Sequence, residues 1–247
     1  YVVIAAVRSK EGTVASDTAE ITTAKDPAID LGQGANTYIV SKAGTYSFTP
    51  EKVDGTPIDG IASANWIWAT KADENDKEQK LLDNVAYAGG KIRFTTTGER
   101  GNAVIAAFDA TGKSIWVWLI WCTEQPEEME YENGGVFLDR FLGATAADLT
   151  DGEATWGNIL YQWGRNVPIY AGYDDEWGEE EVVNEARKWT IMNPELFFFW
   201  DVSKSLTSVA GSLAAPTTFF ADQKTCNWTV EDQSLWGETK TNYDPCP

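Results

Sequence analysis

The sequence predicts a mainly β protein in which an immunoglobulin-like β-sandwich is followed by a loop-rich α+β module. Three observations lead to this fold class. Turn signals recur about every ten residues between residues 27 and 124, a strand–turn–strand pattern occurs twice, and the composition changes near residue 126. A length of 247 residues suits two domains, and an apolar fraction of 43% is enough to form buried cores.

The repeated pattern starts from the same apolar strand sequence. Val3-Ile4-Ala5-Ala6 recurs at residues 104–107, an offset of 101 positions, and each copy continues through a glycine turn into a second strand. A sandwich of the immunoglobulin type takes up about 100 residues. We therefore predict that residues 1–26 are the final hairpin of one sandwich and that residues 27–126 form the next one.

The C-terminal module, residues 127–247, differs in charge and in aromatic content. Residues 1–124 hold 16 acidic and 12 basic side chains, whereas residues 125–247 hold 22 and 7. Seven of the twelve tryptophans lie in this half: Trp156, Trp163, Trp177, Trp189, Trp200, Trp228 and Trp236. Regular alternation fades here and long polar connections take its place, which indicates a loop-rich α+β module.

Composition excludes several classes of function. A formal net charge of −19 argues against nucleic-acid binding, because nucleic acid needs a basic surface. It also argues against docking on anionic lipid. The chain has no histidine, so it cannot build a Ser-His-Asp or Cys-His catalytic arrangement. No apolar run is long enough for a transmembrane helix, because the densest one, residues 115–121, has the length and composition of a buried strand.

Five motifs follow one another in the C-terminal module. They read GVFLDRFLGAT at 135–145, LYQWGRNVP at 160–168, PTTF at 216–219, SLWG at 234–237 and KTNYDPCP at 240–247. In this order they resemble the Fibrobacter succinogenes major paralogous (FISUMP-like) domain of surface lipoproteins from gut Bacteroidota. Two departures are Asn166-Val167, where the family has a basic-acidic pair, and the missing Gly-Trp-Arg-Val-Pro continuation after the last motif.

The resemblance implies a fold, a location at the cell surface and a longer protein from which this sequence comes. The fold is distantly similar to C-type lectins and formylglycine-generating enzymes, without their chemistry. The family is associated with adhesion at the cell surface, which places the protein outside the cell or on the outer membrane. We expect anchoring through a lipid on an N-terminal segment that precedes this sequence, and a C-terminal module truncated at its end.

Exposed tryptophans are the candidate carbohydrate-binding residues, because an indole face can pack on a sugar ring. Trp177 lies in a polar loop with Tyr173 and Asp174, and Trp228 follows Asn227. These five residues form the predicted sugar site. The alternative for any tryptophan is a place in the core, and that is the interpretation favoured for Trp163.

The acidic loop from residue 174 offers a weak calcium site. Its candidate ligands are Asp174, Asp175 and Glu176, and Ca²⁺ takes six to eight oxygen ligands. Their spacing does not fit an EF-hand, so a solvated acidic surface is the competing interpretation. No other cofactor is expected.

The three cysteines contain no C-x-x-C pair, which excludes a zinc finger or a redox motif. Cys122 ends the apolar strand and is predicted to be a small buried residue. Cys226 and Cys246 lie in the same module and are able to pair in an oxidising compartment.

Two arginines stand inside the recognised motifs. Arg140 and Arg165 are predicted to be buried and ion-paired to carboxylates such as Asp139 or Asp244. The alternative role is a clamp for a ligand carboxylate.

These observations favour a non-catalytic adhesin or glycan-binding lipoprotein, with sandwiches as spacers and the C-terminal module as the recognition head. Its partner would be a glycan or another surface protein. A fimbria-like assembly subunit that pairs through strand edges is the first alternative. A glycoside hydrolase with a carboxylate pair is the second, because that mechanism requires no histidine.

Overall fold

The protein is mainly β, as the sequence predicts. The structure, a computed structural model, describes residues 28–132, 134–148, 150, 157, 159–170, 184, 186–222, 224–225, 227–230 and 234–247, and only the backbone of 2–8, 14–20 and 233. Two of these backbone segments are β1 (Val2–Arg8) and β2 (Val14–Glu20), which pair antiparallel as a hairpin. That this hairpin ends a preceding sandwich stays a prediction.

Residues 28–123 form a two-sheet sandwich. The strands of the sandwich are β3 (Ile29–Gln33), β4 (Thr37–Val40), β5 (Gly44–Thr49), β6 (Ser63–Thr70), β7 (Leu82–Ala88), β8 (Lys91–Thr96), β9 (Gly101–Phe108) and β10 (Ser114–Cys122). The first sheet has the order β3-β5-β8-β7. The second has the order β6-β9-β10-β4, and a strand of the C-terminal segment, β15 (Thr190–Met192), is added at the outer edge of β6. Since β4 lies parallel to β10 and the other pairs follow the A-B-E-D and C-F-G orders, the topology is immunoglobulin-like.

The first sheet is buried on one face, whereas the central strand of the second sheet is buried on both faces. In β8 the side chains alternate, so that Ile92 and Phe94 point inward, and the ring of Phe48 on β5 lies 5.1 Å from that of Trp118 on β10. Strand β9 is buried along all eight residues. A strand buried on both faces needs a second covering layer, and the C-terminal segment supplies it.

The described part of the C-terminal segment is built mainly from short strand pairs, with a short helix at Val209–Ala214, helical residues at 186–189 and a 3-10 turn at Gln233–Leu235. Its elements are β11 (Glu128–Glu130), β12 (Val136–Leu138), β13 (Ile159–Leu160), β14 (Ile169–Tyr170), β15 (Thr190–Met192), β16 (Asp201–Ser203), α1 (Val209–Ala214) and β17 (Thr218–Phe220). Trp68 on the sandwich contacts the rings of Tyr170 and Trp200, each at 5.9 Å between centroids. These contacts make one continuous apolar core.

The C-terminal segment is joined to the sandwich directly at several places, of which two are a strand pairing and the docking of the last residues. Strand β15 pairs antiparallel with the edge of β6, Thr190 opposite Thr70. The last residues dock beside β4, where Thr37 Oγ1 donates a hydrogen bond to Pro245 O at 2.6 Å. The domain boundary at 126/127 stays a prediction, and the residues on its two sides share a sheet and a core.

Among the residues that the structure describes, no helix is long and apolar enough to cross a membrane.

Cys122 is expected to resist alkylation in the native protein. Its side chain is 3% exposed, and burial raises the pKa of its thiol to about 12, so almost none of it is the reactive thiolate at neutral pH. Peptide mass spectrometry after iodoacetamide treatment should find Cys122 unmodified at pH 8 and fully modified in denaturant. Exposed Cys246 is the internal control once any disulfide has been reduced, and equal labelling of both cysteines would contradict the buried position of Cys122.

Candidate functional site

Several predicted site residues lie outside the part of the chain that the structure describes. They are Tyr173, Asp174, Asp175, Glu176 and Trp177, so the sugar-binding and calcium predictions for this loop stay predictions. Within the described residues, no group of three or more Cys, Asp or Glu side chains is placed to hold a metal ion.

Two tryptophans have the opposite exposure to the one predicted. Trp228, expected to offer an indole face, is 5% exposed, and its Nε1 donates to Trp163 O at 2.6 Å. Trp163, expected in the core, is 57% exposed. The prediction of Trp228 as an exposed stacking surface is therefore wrong, because its indole is buried and its N–H is bound by the Trp163 carbonyl.

A tight turn holds Trp163 at the surface. The Arg165 N–H donates to Gln162 O at 2.9 Å, and Gly164, the third residue of this turn, has a φ of +80°. A type II turn requires a positive φ at that position, which glycine adopts without strain. A Cβ on Gly164 would stand 2.7 Å from Leu235, so the packing also requires glycine there.

The indole of Trp163 is supported from one side. Its ring meets that of Trp236 edge to face, with 5.1 Å between centroids. Trp236 is itself fixed, because its Nε1 donates to Tyr243 O at 2.6 Å. The exposed indole thus has a defined position before any ligand arrives.

A cavity of about 200 Å³ opens beside this indole. The residues that line it are Tyr161, Gln162, Trp163, Phe219, Asn227, Trp228 and Thr229. Four are aromatic, and none of these lining residues carries a charge. Aromatic walls with a few polar groups are typical of small-molecule sites.

The polar groups of the cavity have two distinct roles. Gln162 is committed to the fold, since its Oε1 accepts from Phe220 N at 3.1 Å and from Arg165 Nη1 at 2.9 Å, and its Nε2 donates to Phe220 O. Asn227 is exposed, and its side-chain amide makes no hydrogen bond within the described part of the chain. An amide both donates and accepts, which suits a ligand hydroxyl.

Arg165 supports the turn from inside the protein. It is 1% exposed, and its Nη atoms donate to Gln162 Oε1, Thr218 O, Ser212 O and Ala215 O at 2.8–3.1 Å. The predicted ion pair is wrong for Arg165, because main-chain carbonyls at the end of α1 take the place of a carboxylate. Desolvation lowers the pKa of this guanidinium to about 9.

Arg140 behaves as predicted. Its Nε and Nη2 bind the two oxygens of Asp139 at 2.7 and 2.9 Å, and its Nη1 lies 3.1 Å from Glu124. Both of these carboxyl groups have a lowered pKa, and for Asp139 the hydrogen bond from Arg140 is the leading cause.

The predicted pairing of Cys226 with Cys246 stays a prediction. Cys246 is exposed and is bonded to no other cysteine among the described residues, and Cys226 lies outside them.

Sequence reasoning named two of the residues that line the cavity, Asn227 and Trp228, and missed its exposed tryptophan, Trp163. The signal was present in the Trp163-Gly164 pair, because glycine after a bulky residue marks the centre of a type II turn. A residue at the second position of such a turn stands at the surface.

Comparisons with known proteins add little to this picture. Comparison with family models found no match, and comparison with curated proteins found none either. The chain is similar to a solved Bacteroides ovatus structure, described as mixed-linkage glucan utilization locus (MLGUL) SGBP-B in complex with mixed-linkage heptasaccharide. The two are 10% identical with a TM-score of 0.21, and the match covers 51% of this chain and 32% of that chain. A likeness this distant carries no argument about ligand or activity.

Proposed function

We propose that this protein is a non-catalytic, surface-exposed glycan-binding protein, and that the cavity beside Trp163 is its binding site. The observation that carries this proposal is the exposed indole, held rigidly at the mouth of an uncharged aromatic cavity. A fixed aromatic face binds the apolar side of a sugar ring without first losing conformational freedom. The adjacent Asn227 amide supplies hydrogen bonds to hydroxyl groups.

The charge of the protein narrows the class of glycan for this cavity. The described lining residues carry no cation to balance an anionic sugar, and the net charge of −19 repels polyanions. A neutral polysaccharide is therefore the ligand class that fits. The sandwich would act as a spacer, and the FISUMP-like motifs of residues 135–247 support a location at the cell surface.

Replacing Trp163 with alanine should weaken neutral-glycan binding strongly. Loss of a stacked indole costs about 2 kcal/mol or more, which corresponds to an affinity about 30-fold lower. The measurement is affinity electrophoresis and calorimetry against a panel of neutral polysaccharides. Wild-type protein should be retarded by at least one of them.

Phe137→Ala is the matched control for this variant. Phe137 is 62% exposed, close to the exposure of Trp163, and it does not line the cavity. The Phe137→Ala variant should leave glycan binding unchanged. No retardation by any neutral glycan, or equal binding by the Trp163→Ala variant, would contradict the proposal.

A further inference from the structure

The hairpin of β11 and β12 presents an open strand edge. Just beyond the two strands, the Tyr131 N–H donates to Gly135 O at 2.8 Å. Bonded and non-bonded residue pairs alternate along an antiparallel ladder, so the main-chain N–H and C=O groups of Glu128 and Glu130 point away from β12. Among the described residues no third strand pairs with this hairpin. The outer edge of β11 can therefore take up a further strand.

The strand at this edge alternates acidic and apolar residues. From residue 128 to residue 132 the sequence reads Glu-Met-Glu-Tyr-Glu, and all five residues are exposed. Successive side chains of a strand point to opposite faces, so Glu128 and Glu130 share one face. Met129 and Tyr131 share the other face, and neither belongs to the apolar core. One face of the edge is thus acidic and the other apolar.

Strand β12 extends the apolar face. Phe137 lies directly opposite Met129, and its ring meets that of Tyr131 edge to face, with 5.3 Å between centroids. The three side chains are 40%, 53% and 62% exposed for Met129, Tyr131 and Phe137. Apolar side chains that adjoin one another at the surface and are rimmed by polar residues are typical of an interaction site.

The charge around the hairpin decides which partner fits. Four of the six residues 127–132 are glutamates, and residues 114–139 contain no lysine or arginine. Arg140, the next cation, already binds Asp139 and Glu124. A second copy of this chain would bring glutamates opposite glutamates, and two chains of net charge −19 repel each other. A basic strand would instead form opposite-charge pairs across the edge.

We propose that the outer edge of β11 binds an extended basic segment of another protein as a third strand, in which lysine or arginine alternates with apolar residues. The basic side chains pair with Glu128 and Glu130, and the apolar ones pack on Met129 and Tyr131. Main-chain hydrogen bonds along the edge supply the rest of the affinity. This inference goes beyond the proposed function, because these residues do not line the cavity beside Trp163, and either proposal can fail alone.

Three synthetic peptides of equal length test the chemistry of the partner by calorimetry. The first alternates lysine with valine, the second lysine with serine, and the third glutamate with valine. The lysine–valine peptide should bind, and its affinity should fall as salt is added. The lysine–serine peptide should bind about fivefold more weakly or worse, because it lacks the apolar contacts. The glutamate–valine peptide should not bind.

Amide hydrogen exchange followed by NMR locates the bound peptide. Saturation with the lysine–valine peptide should slow exchange of the Glu128 and Glu130 amides at least about tenfold, because a third strand would cover them. The Met129 amide points towards β12 in this register, so its exchange should change less.

Reversing the charge of the edge should reverse its preference. The double variant Glu128→Lys with Glu130→Lys should bind the lysine–valine peptide at least about tenfold more weakly and should bind the glutamate–valine peptide instead. Glu74→Lys with Glu78→Lys is the matched control, since it makes the same change in charge at exposed residues between β6 and β7. The control should stay within about twofold of the wild type.

Four results would each overturn the proposal. They are no binding of the lysine–valine peptide, equal binding of the lysine–serine peptide, unslowed exchange at Glu128 and Glu130, and equal weakening in both double variants. Neutral-glycan binding that depends on Trp163 should persist in both double variants.

Discussion

Replacing Asn36 with alanine is expected to lower the free energy of unfolding by about 3–5 kcal/mol. Asn36 is 1% exposed, and its Nδ2 donates to Asn242 O at 2.9 Å and to Asp244 O at 2.7 Å. Its Oδ1 accepts from Trp116 Nε1 at 3.1 Å. Alanine would leave two carbonyl groups and an indole N–H unpaired in the interior, where each costs free energy. Urea denaturation followed by tryptophan fluorescence measures the loss.

The same variant should release the C-terminal tail, because Asn36 holds two of its carbonyl groups. Limited proteolysis is therefore expected to cut near residues 238–244 faster than in the wild type. Asn75→Ala is the control: Asn75 is exposed, and its substitution should stay within about 0.5 kcal/mol of the wild type. Equal stability of the Asn36 and Asn75 variants would show that the tail contributes nothing to the fold.

Replacing Arg165 with methionine should also cost about 3–5 kcal/mol of unfolding free energy. Methionine fills similar volume, but it donates no hydrogen bonds to Gln162 Oε1 or to the three main-chain carbonyls. Because the turn at 162–165 rests on this guanidinium, glycan affinity should fall even under conditions where the variant is folded. Chemical denaturation and calorimetry measure the two effects separately.

Arg165→Lys tests whether geometry or charge is responsible. An ammonium group keeps the charge and loses the planar fork, so the lysine variant should recover only part of the stability. Arg100→Met is the control, since the Arg100 side chain is 58% exposed and its ion pair with Glu124 should contribute about 1 kcal/mol or less. Wild-type stability of the Arg165→Met variant would contradict the structural role assigned here.

The sandwich was predictable because the patterns that indicate it lie within single strands and the turns between them. Strand β8 shows it plainly: Ile92 and Phe94 alternate with polar residues, and the structure buries them in that pattern. Glycine turns and a repeat length near one hundred residues then identify the class of sandwich. None of these predictions depends on contacts between segments that are distant in the sequence.

The C-terminal segment was predictable only in outline, because its contacts are distant in sequence. Trp228 is buried where its Nε1 binds the main chain of Trp163, 65 positions away, and no pattern near Trp228 predicts that contact. The exposure of Trp163, by contrast, has a local signal in the glycine that follows it. An ion pair was predicted for Arg165 because carboxylates are abundant, but its partners are one side-chain amide and three main-chain carbonyl groups, which every residue offers. The docking of Asp244 O on Asn36, 208 positions away, leaves no signature in either segment.

The pairing of β15 with β6 has a consequence for the order in which the chain acquires its structure. During synthesis the sandwich strands emerge first, yet the outer edge of β6 has no hydrogen-bonding partner until residues 190–192 leave the ribosome. Until then the nascent chain presents a bare strand edge, which is a site for wrong association with other chains. After the last sandwich strand has been made, about seventy more residues must therefore be translated before β15 covers that edge.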